Sequence, residues 1–317
     1  MEILFLNERE VEELIDLGVL LAGLEEGFGQ LSAGVVNAPD RNEISMPSAA
    51  FLLGMPGHRD GSDMTVKVVT VFEENLRRAT GLPSHLAIIC LFDPETGACR
   101  AFLDGTYITA VRTAASAAVS ARLLAREDAR VLTILGAGVQ GKQHLRTFPL
   151  ARDFEDIRIG SLHVEDAERL ALTHPRARAV EDFESAVRDS DVVALSSHAG
   201  EPIIDPRWIR PGTHVSSVGY KPPDGELPRE LLEHASLFVE TRIAFEPTPV
   251  GCAELAGLDP NSSTELGEVV RGTRPGRTGP EEITVYKAMG HVIEDMVAAE
   301  IAVRTARERG TGQTLHM

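Results

Sequence analysis

A glycine-rich turn follows directly on a short apolar segment near the middle of the chain. Residues 131–135 are apolar or β-branched, Gly136, Gly138 and Gly141 come next, and a helix-compatible run extends to Phe148. In a G-x-G-x-x-G turn between a strand and a helix, the first glycine permits the tight turn, the second lets the backbone approach a pyrophosphate, and the third lets helix and strand pack closely. The N–H groups and dipole of the helix start then bind the phosphates. The segment therefore predicts a dinucleotide site on a Rossmann-type fold.

Length, charge and cysteine usage narrow the class of protein further. A chain of 317 residues is long enough for two domains, and a net charge of −17 argues against nucleic acid or an anionic membrane as a partner. No apolar run approaches the ~20 residues of a membrane span, and the N-terminus lacks the basic and apolar regions of a signal peptide. Cys90, Cys99 and Cys252 show neither metal-ligand spacing nor an even disulfide framework. We therefore expect reduced thiols, a cytoplasmic location and no metal site.

The first hundred residues are typical of an α+β domain rich in antiparallel strands. A strand is expected at 3–6, followed by a helix that begins after Asn7 and continues to about Gln30, because Asn7 and Glu10 form a capping pattern and apolar residues recur at helical spacing. The remaining predictions for this domain are a turn at 53–57, a strand at 64–72, and a hairpin of strands 86–92 and 98–103.

The rest of the chain alternates apolar strands with amphipathic helices, which predicts a parallel, doubly wound sheet. An alanine-rich helix at 107–125 leads into the glycine turn, and further strands are expected at 157–159, 192–195, 214–218 and 237–239. A long final helix is predicted from Glu282 to about Arg309. His291, Glu294 and Asp295 are expected on an exposed face of that helix.

The end of the second predicted Rossmann strand bears on the choice of nucleotide. An NAD site usually has an acid there, which binds the ribose 2′-OH. Residues 157–163 read IRIGSLH, and Glu165 and Asp166 come later, where they are expected to start the next helix. Since no carboxylate would repel it, a 2′-phosphate could lie near Ser161 and His163. A strand end without a carboxylate favours NADP over NAD.

Several short motifs, taken in order, resemble the ornithine cyclodeaminase/μ-crystallin family over nearly the whole chain. The motifs are Met55-Pro56, KVVT at 67–70, DGT at 104–106, TAVRTAA at 109–115, the glycine turn ending in Gln140, PGTH at 211–214, Gly219, Glu226-Leu227 and ITVYK at 283–287. The resemblance implies a Rossmann domain, residues 114–290, inserted in an α+β dimerisation and substrate domain, residues 1–113 plus 291–317. It also implies a homodimer. Family members include ornithine and lysine cyclodeaminases, archaeal-type alanine dehydrogenases and ketimine reductases.

The resemblance also implies roles for individual residues. Arg41, Lys67 and Arg112 match the cationic group that binds the substrate, and Ser84 stands where a cyclodeaminase has a threonine near the substrate carboxylate. Thr113, Gly136, Gly138, Gln140 and Ser197 fall at positions that resemble cofactor contacts of the family. Together with Ser161 and His163 near the 2′-phosphate, and with Val139 and Val218, they make up the predicted cofactor contacts.

Two arginines and a lysine suit the recognition of an α-carboxylate. The planar fork of an arginine matches two carboxylate oxygens, and an anchored carboxylate would hold Cα against C4 of the nicotinamide. Beside two guanidiniums, Lys67 would have its pKa lowered by like charge. It could then exchange a proton with the substrate nitrogen.

One loop departs from the cyclodeaminase pattern. Cyclodeaminases have an aspartate just after a Val-Gly pair at a strand end, whereas this chain reads VGYKPPDGEL at 218–227, with Tyr220 or Lys221 in that place. Asp224 could act as the acid only if the loop folded back, and a Pro-Asp-Gly sequence usually forms a turn. We therefore expect an NAD(P)-dependent oxidoreductase that acts on small imino or amino acids, with Lys67 and Asp224 as catalytic candidates. The alternatives are a cyclodeaminase that recycles its cofactor and a non-catalytic nucleotide-binding protein.

Overall fold

The computed structural model describes residues 1–46, 50–76, 78, 81–221 and 223–317. The strands are β1 (Glu2–Leu6), β2 (Val36–Asn37), β3 (Asn42–Ser45), β4 (Phe51–Arg59), β5 (Met64–Val71), β6 (His85–Phe92), β7 (Cys99–Asp104), β8 (Val131–Leu135), β9 (Asp156–Gly160), β10 (Ala177–Val180), β11 (Val192–Leu195), β12 (His214–Ser217), β13 (Ser236–Val239), β14 (Thr264–Glu265), β15 (Thr284–Lys287) and β16 (Gln313–His316). The α-helices are α1 (Glu8–Leu14), α2 (Leu17–Ser32), α3 (Thr106–Leu124), α4 (Val139–Thr147), α5 (Val164–Ala171), α6 (Phe183–Val187), α7 (Arg229–His234), α8 (Leu266–Val270) and α9 (Val292–Arg309).

The chain divides into two compact units. Unit 1 comprises Met1–Arg112 and His291–Met317, and unit 2 comprises Thr113–Gly290. The first junction lies one residue before the one expected from the sequence, inside α3. The second junction lies between Gly290 and His291, the same position as expected.

Unit 1 is built on one mixed sheet. Its strands run in the order β16-β1-β7-β6-β5-β4-β2, with β3 also pairing with β4. The pairs from β4 to β7 are antiparallel, and β1 lies parallel to β7. The expected β6–β7 hairpin is confirmed, and its turn closes through Asp93, whose backbone N–H and carbonyl bond to Ala98 and Gly97.

Helix α9 lies against this sheet and against α2, and glycines permit the close approach. A Cβ at Gly57 of β4 would lie 2.8 Å from Val292 and 2.9 Å from Met296. A Cβ at Gly23 of α2 would lie 2.8 Å from Val297. Most of α9 is buried, including both carboxylates in its first turn, Glu294 and Asp295. The acidic residues of α9 therefore need buried partners.

Two predictions for unit 1 are wrong. The turn expected at 53–57 is the interior of β4, which pairs with β5 from Phe51 to Gly57, and its glycine at 57 makes room for α9. The single helix expected up to Gln30 is two helices, because Asp16 caps a new start by accepting a hydrogen bond from the N–H of Val19 at 2.9 Å. The cap of α1 by Asn7 and Glu10 is confirmed.

Unit 2 is a Rossmann-type sheet of eight parallel strands in the order β10-β9-β8-β11-β12-β15-β13-β14. The chain leaves β8 toward β9 and β10, then crosses back to β11 on the other side of β8. Ligands of such sheets bind at this reversal of strand order, outside the carboxyl ends of the strands. The expected parallel, doubly wound class of fold is confirmed.

The long final helix expected from Glu282 to about Arg309 is confirmed from Val292 to Arg309, but its expected start is wrong. Residues 284–287 form β15, a fully buried strand between β12 and β13, as is typical of a central strand in a parallel sheet, and its last residue, Lys287, is a buried charged side chain. The chain then turns at Gly290, whose φ of +74° favours glycine, and α9 begins at Val292.

Candidate functional site

The glycine turn of unit 2 has the geometry that a dinucleotide requires. Gly136 adopts a φ of +121°, and a Cβ there would lie 2.5 Å from the carbonyl oxygen of Ser196. A Cβ at Gly141 would lie 2.0 Å from the carbonyl oxygen of Gly136. A Cβ at Gly138 would instead project into open space, which is the approach a pyrophosphate would take. The residues present therefore fit a dinucleotide phosphate.

The predicted cofactor contacts of unit 2 lie at strand ends and helix starts, except for Thr113. Gly138 is the N-cap of α4 without a side-chain cap, Val139 is exposed at its first position, and the buried Oε1 atom of Gln140 has no hydrogen-bond partner among the described residues. Ser197 follows β11 and Val218 follows β12. Thr113 is partly buried on α3.

The segment that follows β9 contains no carboxylate before α5. Ser161 is partly buried, while His163 is exposed and is the N-cap residue of α5 without a side-chain cap. Glu165 and Asp166 lie in the first turn of that helix, as expected.

Unit 1 holds a buried cluster of charged side chains around Asp295. The Lys67 Nζ atom lies 2.7 Å from Asp295 Oδ2, and Arg112 donates from Nε to Asp295 Oδ1 at 3.1 Å. Arg112 also donates from Nη1 to Glu294 Oε2 at 2.9 Å. Lys67 is 1% exposed and both carboxylates are 0% exposed. The structure therefore brings together Lys67 and Arg112, two of the predicted substrate-binding cations, through a shared carboxylate.

The start of α9 orders this cluster. Glu294 accepts the N–H of His291 at 2.9 Å, and the Nδ1 atom of His291 accepts the N–H of Ile293 at 3.2 Å, which together form a capping box. Burial lowers the pKa of His291 to about 4, so that its ring is neutral at pH 7. Arg41, just before β3, is close enough for its charge to contribute to that lowering.

The pKa of Lys67 is lowered to about 8, chiefly because the side chain is buried and next because Arg112 is a nearby like charge. Asp295 and Glu294 act in the opposite direction. The direction predicted from the sequence is therefore confirmed, but burial outweighs the like charge that was expected to cause it.

Ser84, also in unit 1, makes contacts outside the cluster. Ser84 is partly buried just before β6, where its carbonyl accepts the N–H of Phe72 and its Oγ lies 3.0 Å from His85 Nδ1. Lys67 pairs with Ile89, so Ser84 is five residues farther along the strand pair. In unit 2, Asp224 is exposed within a turn, and Pro222 in the same loop lies outside the described residues.

The sequence prediction for His291, Glu294 and Asp295 is wrong. The two acids are not on an exposed helix face but are the buried counterions of Lys67 and Arg112. The signal was present, because a glycine, a histidine and a glutamate at the third helical position form a capping pattern, and residues 296–303 are apolar or small except for Glu300.

The described residues include neither a metal-binding cluster nor a membrane-spanning helix. Among them, no group of three or more His, Cys, Asp or Glu side chains has an arrangement that could hold a metal ion. Across the same residues, no helix combines the length and apolar character of a membrane span.

A parallel sheet with a glycine turn at its strand-order reversal defines a dinucleotide-binding protein of the Rossmann class. The sequence profile of the ornithine cyclodeaminase/mu-crystallin family matches residues 1–310, and the chain belongs to that family. It is 36% identical to ketimine reductase mu-crystallin of Mus musculus, over 94% of this chain and 95% of that protein.

Solved structures agree over the full length. The Δ1-pyrroline-2-carboxylate reductase of Thermococcus litoralis, in complex with NADH and L-proline, is similar with a TM-score of 0.92 and 32% identity, over 99% of this chain and 100% of that chain. An archaeal alanine dehydrogenase dimer with bound NAD has a TM-score of 0.89 and 26% identity, over 100% of both chains.

Proposed function

We propose that this protein is an NAD(P)-dependent oxidoreductase that reduces the C=N bond of a small α-imino acid, or oxidises the corresponding α-amino acid. The observation that carries the proposal is the buried cluster of Lys67, Arg112 and Asp295. A lysine and an arginine held in place by a carboxylate are a preorganised receptor for an acid group. Relatives that reduce ketimines and Δ1-pyrroline-2-carboxylate support the same reaction.

In the proposed reaction the cofactor supplies the hydride and a side chain supplies the proton. NADH or NADPH, when bound at the glycine turn, supplies the hydride that adds to the substrate Cα. As the C=N electron pair moves onto nitrogen, Lys67 gives that nitrogen a proton and is reprotonated from water. An ammonium carries three donors, so the ion pair with Asp295 leaves donors for the substrate. A pKa of about 8 keeps Lys67 mostly protonated at pH 7 while making proton transfer easier than from an ordinary lysine.

The charge of the cluster favours a monocarboxylate. Lys67 and Arg112 supply two positive charges, and Arg41, whose charge acts on the neighbouring His291, adds a third. Glu294 and Asp295 supply two negative charges and His291 is neutral, which leaves one positive charge for the substrate to balance. A cyclic imine with a single carboxylate would neutralise it, whereas a dicarboxylate would leave an excess negative charge at a buried site. We therefore propose Δ1-pyrroline-2-carboxylate and its six-membered homologue as the preferred class.

The finer choice of cofactor rests on the segment after β9. With Ser161 and His163 where an NAD site usually has an acid, a ribose 2′-phosphate meets no carboxylate before Glu165. We propose that the protein accepts both cofactors with a slight preference for NADP. The solved relatives contain NADH and NAD, so the ratio of kcat/KM for NADPH and NADH is the decisive measurement.

A homodimer is proposed from the outer face of the unit 1 sheet. Val66, Val68, Ile88, Cys90 and Phe102 share the face opposite Lys67, since they alternate with it or pair directly across the strands. Ile88 is 41% exposed. A half-exposed apolar face on a sheet is typical of an interface, and the related alanine dehydrogenase is a dimer. The three free cysteines suit a reducing compartment, and we propose the cytoplasm.

The rival function is a cyclodeaminase, which returns the hydride to its product and consumes no cofactor. Tyr220 or Lys221 stands here where a cyclodeaminase has its catalytic aspartate. Asp224 is exposed, and the catalytic role of Asp224 stays a prediction. The test is a substrate panel with full-length protein that includes both cyclic imines, an iminodicarboxylate and ornithine. We expect stoichiometric oxidation of reduced nicotinamide with the cyclic imines. Ornithine converted to proline without net change in cofactor would refute the proposal, and tight cofactor binding without turnover would favour a binding protein.

A further inference from the structure

A second buried charged cluster lies in unit 2, at the carboxyl edge of the parallel sheet. Glu226 is 0% exposed, and its carboxylate accepts four hydrogen bonds from the end of β12 and from the loops that follow β11 and β12. Its Oε2 atom accepts the N–H of Ser197 at 2.9 Å and the Oγ–H of Ser197 at 2.6 Å. Its Oε1 atom accepts the Oγ–H of Ser217 at 2.8 Å and the N–H of Gly219 at 2.7 Å. One side chain thus joins the loops that follow β11 and β12.

Neighbouring charges hold Glu226 itself in place. Glu254 accepts the backbone N–H of Glu226 at 3.0 Å and pairs with Lys287 Nζ at 2.5 Å. Lys287 in turn donates to Ser217 Oγ at 3.0 Å and to the Gly219 carbonyl at 2.6 Å. Burial works to lower the pKa of Lys287, but Glu254 and Glu226 raise it overall, so the side chain is an ammonium.

The backbone is fitted closely around these carboxylates. A Cβ at Gly219 would lie 2.5 Å from the carboxyl carbon of Glu226, and a Cβ at Gly225 would lie 2.2 Å from that of Glu254. Gly219 and Gly225 therefore lie directly against the two acids. These contacts fix the position of Ser197, which donates to Glu226 directly, and of Val218, which lies between the donors Ser217 and Gly219.

We infer that Glu226 is a positioning residue for the cofactor, holding the loops after β11 and β12 in the conformation that binds the dinucleotide. The inference rests on the proposed function, in which Ser197 and Val218 are cofactor contacts. Both loops lie outside the carboxyl ends of parallel strands, the edge at which such sheets bind nucleotides. Glu226 does not itself need to touch the cofactor, because it acts through the backbone of its two partners.

The chemistry of the carboxylate makes the role testable. Backbone N–H groups donate to both of its oxygens, one from each loop. A glutamine at this position keeps the shape but presents an NH₂ group to one of those donors, so one loop must lose its anchor. Losing hydrogen bonds to a charged acceptor corresponds to about a tenfold to hundredfold change in an equilibrium constant.

Asp191 offers a matched control in the same sheet. It is a buried carboxylate that accepts the N–H of Arg130 at 2.7 Å and of Val131 at 2.9 Å, but it lies just before β11, at the amino edge of the sheet. Its other oxygen, Oδ1, pairs with Arg126 and Arg210. Both Glu226→Gln and Asp191→Asn therefore remove the charge of a buried carboxylate that accepts two backbone N–H groups. Only Glu226→Gln does so at the carboxyl edge of the sheet, where the cofactor is proposed to bind.

The experiment measures NADH dissociation constants by calorimetry, Tm, and the KM values of both substrates for the full-length wild type and the two variants. We expect E226Q to raise the Kd for NADH about tenfold or more, with the KM for the imino acid at saturating cofactor changed by less than about twofold. D191N should lower Tm at least as much and leave the Kd for NADH within about twofold. A Kd for NADH that is unchanged in E226Q, or raised equally in D191N, would overturn the inference.

A milder variant covers the case in which E226Q does not fold. Ser217→Ala removes one donor to Glu226 and one acceptor of Lys287 with the loss of a single oxygen. We expect it to raise the Kd for NADH about threefold or more, and an unchanged value would count against the role of Glu226. Wild-type protein that binds neither NADH nor NADPH would refute the proposed function, whereas wild-type binding that is indifferent to both variants would refute only this inference.

Discussion

Replacing Asp295 by asparagine should shift the pH dependence of catalysis, because Asp295 is the anion nearest to Lys67. The ion pair spans 2.7 Å at a fully buried site, and Asp295 raises a lysine pKa that burial and Arg112 lower to about 8. An opposite charge at this range changes a pKa by about 1 to 3 units. The pKa of Lys67 in D295N should therefore fall to about 5 to 7. Asparagine preserves the shape of the side chain, so the charge is the main variable.

The sign of the effect follows from the role of Lys67 as a proton donor and carboxylate ligand. Both roles need the ammonium, so wild-type kcat/KM for imine reduction should fall as the pH rises through about 8. In D295N the same fall should occur at a pH lower by about 1 to 3 units, with a stability cost on the order of 3 to 5 kcal/mol for the broken buried pair. The assay is kcat/KM for the imino acid against pH, at saturating reduced cofactor, alongside denaturant unfolding.

Glu300→Gln is the matched control for this experiment. Glu300 lies on the same helix, α9, and also pairs with an arginine of unit 1, Arg59, but it is not part of the cluster. Its loss should leave the high-pH limb of the profile where it is in the wild type. A D295N profile that coincides with the wild-type profile would refute the assignment of the limb to Lys67.

Three further outcomes are expected. Burial lowers the pKa of His214 to about 3, so the folded state binds fewer protons than the unfolded state and loses stability as the pH falls below 6.5. The wild type should therefore lose free energy of unfolding between pH 7 and pH 4.5 in urea titrations, and His214→Asn should lose roughly 3 kcal/mol less over that range; an equal loss in both proteins would contradict this. Gly141→Ala places a Cβ 2.0 Å from the Gly136 carbonyl oxygen, so it should lower the free energy of unfolding by about 1 to 3 kcal/mol in thermal unfolding and weaken NADH binding in calorimetry. NADH binding with wild-type affinity would show that the turn relaxes without loss. Ile88→Asp should convert the proposed dimer to monomers in light scattering, and a mass that does not change would exclude this face as the interface.

The Rossmann unit was predictable because its signals are local. The glycine spacing at 136–141, the apolar strands and the intervening amphipathic helices each follow from a few neighbouring residues. Strand β15 was missed because a short apolar run just before a helix has the same composition as the helix start, and only its pairing with β12 and β13 distinguishes the two.

The counterions of the cation cluster were not predictable in the same way. Lys67 and Asp295 are 228 positions apart, and nothing near either residue specifies the other. The sequence indicated that Lys67 was unusual, since it lies within an apolar strand, but the partner depends on how α9 packs against the sheet. Likewise, Gly57 looked like a turn residue because its packing partner, Val292, is supplied by that distant helix. Long-range packing decided these positions.

Transfer of hydrogen from the cofactor to the substrate Cα is the central claim, and isotopic labelling tests it most directly. The full-length protein would be incubated with Δ1-pyrroline-2-carboxylate and reduced nicotinamide cofactor deuterated at the transferred C4 position, and the proline formed would be analysed by mass spectrometry and NMR. The account predicts one deuterium per proline, located at Cα, with formation slowed by about 10² to 10⁴ in Lys67→Met. Proline without deuterium at Cα, or undiminished turnover by Lys67→Met, would contradict it.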